Sequence, residues 1–437
     1  MVFMVGFSFG QDQQQSERGS QLPPEQAAGG AELIMGYTVA PVSVDKTERE
    51  LGLDSMNYPT NTSLGYKGVV MDNLHNDDTS DEIAVDFGSL GLWIYDSGTW
   101  HQISGVNPDG IISAKMGVAD DNEIVVDFGS LGLWIWNYSG YPGIWYQRSG
   151  VNPTGMFATD DDNDGNDEIQ VDFGSLGVWR WDWDTDAWIQ LSGLNPYYGL
   201  RMDVGAFGYE EGVWCFPGVG IGVWNIYMIG SSPVYNQLTG TTNSNDDHAS
   251  ARFTNAAGAE DLIMDFGALG LWLYKETWGP WVQVSGMSVN RVKEVKFVGT
   301  QDYELLAEDN AGGLYWANWN GTGMTFTLIT STDIGPGAAW CETFDQDGAD
   351  SGDEEVIIPW TAGGASVFDY SAGSTLTLLI NTDYFVKFMV KGDYYNLGYD
   401  STMLFVFDSP SPVVGVWLYA QGGWGQWISN NVPDGGY

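Results

Sequence analysis

Positive charge is scarce in this sequence: 15 Lys and Arg stand against 58 Asp and Glu in 437 residues, a formal net charge of −43. Such a field repels phosphate, which excludes nucleic acid and anionic membranes as partners and favours cations or basic proteins. Cysteine is nearly absent. Cys215 and Cys341 fall in different units of the repeat described below, so a disulfide scaffold is excluded and two buried thiols are expected. Only three histidines occur, His75, His101 and His248, each isolated in sequence. They form no Cys/His metal spacing, and each reads as a surface or packing residue. No run approaches the ~20 apolar residues of a membrane span, and no amphipathic helix is visible. Kinase-type catalytic loops, phosphate-cradling glycine motifs and nucleophile elbows are missing as well. Acids this numerous always supply pairs, but no constellation singles out a glycosidase. The expectation is a protein that is not an enzyme.

What the sequence has in abundance is repetition. DFGSLG, followed by an apolar residue and Trp, begins at Asp86, Asp127 and Asp172, and DFGALGLW begins at Asp265. The spacing is in the forties, with one gap about twice that, which marks a repeat architecture. The first copy contains an extended run from Gly68 to Asp72, an acidic loop, and the alternating run Glu82 to Phe87. A Gly-rich turn leads to Leu92–Tyr95, and Thr99–Ser104 closes the unit. Each run is β-branched and aromatic and is bounded by Gly, Asp, Asn or Ser. Four such strands per ~40–45 residues describe one propeller blade. In it the Asp of the phrase sits at the rim and the Phe in the core. Weaker spellings bring the number of units to eight, with seven blades plus an accessory sheet as the alternative. The expected fold is all-β: a propeller of eight blades of four antiparallel strands over residues 68–437. The 21 Trp fill the gaps between radiating sheets.

Ahead of the repeats, residues 1–10 are apolar and end in Ser8-Phe9-Gly10, which suits a truncated signal segment. Residues 11–67 read as a flexible Gln-, Ser- and Pro-rich arm. A strand at 33–42 within the arm is expected to close the ring, with self-association as its other use.

The sharpest chemical motif is Asp160-Asp161-Asp162-Asn163-Asp164-Gly165-Asn166-Asp167-Glu168, between the first two strands of the third unit. Carboxylates at Asp160, Asp162, Asp164 and Glu168 offer the hard oxygens that calcium prefers. The twelfth position is Val171 and no helices flank the loop, so this is not an EF-hand. The loop, its apolar strand and the Phe173-Gly174 turn resemble FG-GAP/VCBS-type repeats, the calcium-loop blades of integrin-α-like and bacterial surface propellers. The resemblance implies calcium (Ca2+) held in hairpin loops, extracellular placement and cell adhesion. Two other loops match less well: Asp72, Asn76, Asp78 and Glu82, and Asp345, Asp347 and Asp353. The second and fifth units have loops too short to wrap an ion.

The expected function is therefore a secreted or cell-surface binding, adhesion or surface-assembly propeller, stabilised by calcium and recognising a protein or glycan. One alternative is a lectin-like carbohydrate binder using Trp181, Trp183 and Trp188, since the run Arg180-Trp181-Asp182-Trp183 cannot bury every ring on one face. The other is a self-assembling extracellular subunit that associates through its N-terminal arm.

Overall fold

The computed structural model describes residues 68–427. The connecting residues 76–80, 88–89, 118–120, 205–209, 219–221, 231, 242–247, 255–258, 276–280, 298–302, 333–340, 345–353, 361–362, 371–374, 381–384, 393–401, 409–414 and 421–422 are outside the described set. Among the described residues, 32 strands form eight four-stranded sheets, each an antiparallel meander of consecutive strands. The blades span residues 69–104, 110–149, 155–192, 198–239, 248–285, 289–330, 342–380 and 385–427. The first strand of blade 8 (Phe385–Gly392) contacts the first strand of blade 1 (Val69–Asp72), so the sheets close into a ring with the first strands innermost. This is an eight-bladed β-propeller. Among the described residues, blade 8 draws its four strands from its own stretch of chain. Residues 33–42, like the expected signal segment and arm, lie outside the described residues.

The repeated phrase folds the same way each time. In blade 2, Asp127 Oδ1 accepts the Gly129 N–H at 2.7 Å, and Phe128 exchanges backbone bonds with Leu131 and Gly132 around a single 3-10 turn. The Leu131 carbonyl then accepts both Trp134 Nε1 and Gln147 Nε2, each at 3.0 Å. The same pair of donors meets Leu90, Leu176 and Leu269 in blades 1, 3 and 5. Gly132 has φ +81°, and a Cβ there would run into the Ser149 carbonyl, which explains the second glycine of the phrase. Asp127 and Asp265 are fully buried in this role, not at the rim, because a carboxylate that caps a turn must sit beneath it.

Neighbouring blades are stapled by their fourth-strand tryptophans. Trp145, Trp188 and Trp281 donate to the carbonyls of Ile103, Arg148 and Leu238 in the preceding blades. Between sheets lie clusters such as Phe157 with Trp214, and Ile124 with Trp136 and Trp145. Cys215 and Cys341 are buried thiols outside any disulfide, as expected.

The meander also sorts the connections. Loops between first and second strands, and between third and fourth, emerge on one face. The DFG turns and the links between blades emerge on the other. The acidic loops therefore share a face, and the leucines of the repeated turns share the opposite one, where Leu131, Leu176 and Leu269 are 46%, 50% and 55% exposed.

Candidate functional site: the acidic face

The second strand of each of blades 1 to 6 starts with a carboxylate that braces the loop before it. Glu82, Glu123, Glu168, Glu211 and Glu304 accept the backbone N–H of Leu74, Met116, Asp161, Val204 and Phe297, and Asp261 accepts that of Thr254. Glu168, expected as a calcium ligand, is thus also a structural member of the repeat. Burial is the main force on these acids. It pushes Glu123 up to about 7 and Glu211 up to about 8, because a carboxylate away from water prefers to keep its proton.

Blade 3 departs from the pattern at one residue. Arg180 stands where blades 1 and 2 have Ile94 and Ile135, and its guanidinium is 2% exposed. It bonds Asp161 at 2.7 Å, Asp162 at 2.7 Å, Asp182 at 2.8 Å and Glu168 at 3.0 Å. A single guanidinium facing four carboxylates leaves a surplus of negative charge. Burial, opposed by Arg180, raises both Asp161 and Glu168. Asp182 is held below its ordinary range: the Thr185 N–H and Arg180 outweigh its burial. The network continues from Asp161 through Gln170 Nε2 (3.0 Å), and from Gln170 Oε1 to Trp214 Nε1 of blade 4 (2.8 Å). Sequence reasoning missed Arg180 because it lies across a hairpin from the loop. The signal available was a lone Arg in the third strand of the most acidic unit.

The structure does bring Asp160, Asp162 and Glu168 together, with one carboxylate oxygen from each within 4.8 Å of the others. Asp160 accepts the N–H groups of Asp164 and Gly165, and Asp164 accepts that of Asn166. In the weaker loops, Asp72 caps Asn73 and Glu82 braces Leu74. Asn76, Asp78, Asp345, Asp347 and Asp353 lie outside the described residues.

Of the expected sugar-stacking aromatics, Trp181 needs correction, because its ring is buried. Trp181 is 1% exposed, and Trp183 and Trp188 are half-buried. The space over Trp181 and Trp183 is filled from within. The Arg148 guanidinium carbon lies 4.7 Å from the ring centre of Trp181, 5.5 Å from that of Trp183 and 5.2 Å from that of Tyr146. Asp186 fixes Arg148 at 3.0 Å. Trp181 is covered because its side of the sheet faces the next layer of core, which the alternation of the strand alone does not reveal.

The same face surrounds the mouth of the central channel. The residue preceding each second-strand carboxylate is Asn122, Asp167, Glu210, Glu260, Tyr303 or Glu354 in blades 2 to 7. Backbone bonds from Asn122, Asp167, Glu260, Tyr303 and Glu354 to the preceding blade fix this rim. Two cavities open along the channel. One, of about 360 Å³, is lined by Glu210, Glu260, Lys293, Glu294 and Glu354 among others, and the second, of about 480 Å³, includes Asp167 and Phe157. Lys293 pairs with Glu342 at 2.8 Å, Lys391 with Glu354 at 3.2 Å and Arg201 with Glu210 at 3.4 Å. Burial raises Asp167 and Glu210, and lifts Glu260 to about 7. Nothing in the sequence marked these positions, because each is a single residue per repeat and only ring closure brings them together.

No family model and no curated protein matches this chain. Solved structures do. The crystal structure of the BP39L lectin from Burkholderia pseudomallei aligns over 84% of this chain and 99% of its own, at 12% identity and a TM-score of 0.50. A structure of BBS1N in complex with ARL6DN covers 80% of this chain and 91% of its own, at 12% identity and a TM-score of 0.42. At such identity the likeness to the lectin establishes the architecture alone: the chain has a β-propeller fold.

Proposed function

We propose that this propeller is a binding protein without catalytic chemistry, and that it takes a basic partner on its acidic face at the channel mouth. The observation that supports this reading is the rim of Asp167, Glu210, Glu260 and Glu354 over two cavities, with Glu260 raised to about 7. An acid held close to its proton by burial gains from an incoming cation, and a concave site with convergent polar groups is where ligands bind. Secretion or cell-surface display and a role in adhesion or surface assembly belong to the same proposal. Their support is the net acidity and the resemblance of the third-unit loop to FG-GAP/VCBS repeats. Calcium is included in a narrower form. Arg180 already engages Asp162 and Glu168, so an ion would enter through Asp160 and Asp164.

The test is binding of a labelled oligolysine peptide by fluorescence anisotropy over a salt series. Glu260→Gln should weaken binding, while Asp109→Asn, on the opposite face, should not. Equal effects from both would reduce the interaction to net charge and overturn the site.

A second reading, self-association, is favoured by the equivalent exposed leucines Leu131, Leu176 and Leu269 on the opposite face. Changing all three to Ser should abolish any dimer seen by size-exclusion chromatography with light scattering. An unchanged elution and mass would remove that reading.

A further inference from the structure

The position that Arg180 neutralises recurs around the ring. One register step beyond Ile83↔Tyr95, Ile124↔Trp136 and Ile169↔Trp181, the second-strand Glu faces Asp96 in blade 1, Asn137 in blade 2 and Asp182 in blade 3. By the same step, Asp261 in blade 5 faces Lys275. Blade 2 needs no cation, since Asn137 Nδ2 donates to Glu123 Oε1 at 2.8 Å. Blade 3 carries two facing acids and supplies Arg180. Blade 7 pairs Glu355 with Asp369 by the same register, but its preceding loop is outside the described residues.

Blade 1 has the two facing acids, Glu82 and Asp96, and Ile94 in place of the arginine. What it offers instead is His75, 1% exposed, placed by the loop that Glu82 braces. His75 Nε2 lies 3.4 Å from Glu82 Oε1 and 3.2 Å from Asp96 Oδ2, and one ligand atom from each of the three falls within 4.8 Å of the others. These separations match the edge, about 3.3 Å, of a tetrahedron with metal bonds of ~2.0–2.1 Å to nitrogen and oxygen. A buried and a half-buried carboxylate against one buried imidazole favour a positive charge, and imidazole with carboxylate suits a borderline divalent ion better than calcium.

We propose that blade 1 holds a structural divalent transition-metal ion of the zinc class, ligated by His75, Glu82 and Asp96. The surrounding groups fit a shell around such an ion. The Tyr138 ring lies 4.6 Å from that of His75, and the Tyr141 ring stacks on His101 at 3.7 Å. Asp72 stands across the strand pair from Glu82 and adds further negative charge.

The experiment uses the full chain, stripped with chelator and titrated with Co2+. One equivalent should bind and give the strong visible absorption of a tetrahedral site, and Zn2+ should displace it. His75→Gln and Asp96→Asn should each abolish the band. Asp96→Asn installs the residue that blade 2 uses at the same position, so the blade should still fold, as circular dichroism would verify. Absence of the band in the wild type, or its persistence in both variants, would overturn the proposal. A melting temperature that falls as His75 deprotonates, with no response to Zn2+, would also overturn it, because a proton would then be the neutralising charge.

Discussion

Replacing Arg180 by Ile, the residue at the same register in blades 1 and 2, is the most direct test of how the acidic loop is held. In the native chain one guanidinium, 2% exposed, serves Asp161, Asp162, Glu168 and Asp182 at 2.7–3.0 Å. Its removal leaves buried carboxylates uncompensated, a change that costs about 3–5 kcal/mol. Urea unfolding at neutral pH, followed by tryptophan fluorescence in chelator, should show this loss. Calcium should then restore part of it, by about 2.7 kcal/mol at a hundredfold excess over its dissociation constant. The blade 2 solution supplies the control. Adding Asp161→Met, Asp162→Gly and Asp182→Asn to the Arg180 variant copies Met116, Gly117 and Asn137, and should recover most of the stability, since apolar replacement of a buried ion network is often neutral or better. A loss below about 1 kcal/mol on Arg180→Ile alone would refute the argument that this arginine is the loop's resident cation.

Other expectations follow from the same geometry. Glu123 is lifted from 4.5 to about 7, so the folded chain holds a proton there that the unfolded chain has released, and stability falls as pH rises from about 4.5 through 7. Glu123→Gln should remove up to about 3 kcal/mol of that slope in melts taken between pH 5 and 8. Trp281→Phe keeps an aromatic ring but removes the pyrrole half of the indole and with it the bond to the Leu238 carbonyl, so chemical denaturation should report at least the ~0.5–1.5 kcal/mol of that bond, and hydrogen exchange should rise at the blade 4–5 seam. Gly270→Ala, at φ +75° with the Ser285 carbonyl where its Cβ would go, should lower the thermal midpoint more than Gly267→Ala, which has open space.

Sequence alone determined the blade. The phrase beginning at Asp127 is a local code: Asp127 caps Gly129, Gly132 makes the close approach, and Trp134 and Gln147 meet on one carbonyl. All of these lie within one hairpin or its neighbour, where spacing and turn chemistry are legible. The four-strand grammar and the number of units followed from the same short-range rules. The site was less legible. Asp160, Asp162 and Glu168 are close in sequence and did come together, yet the residue that fills their midst, Arg180, is 19 positions from Asp161. Trp181 looked available and is covered by Arg148 from the preceding blade. His75 looked isolated and lies against Glu82 and Asp96. In each case the deciding quantity is burial of charge or aromatic surface, which depends on cross-strand register and on the neighbouring blade. The repeat therefore fixed what each blade is, while ring closure decided which face is acidic, which carboxylates share a cation and which aromatics remain in contact with water.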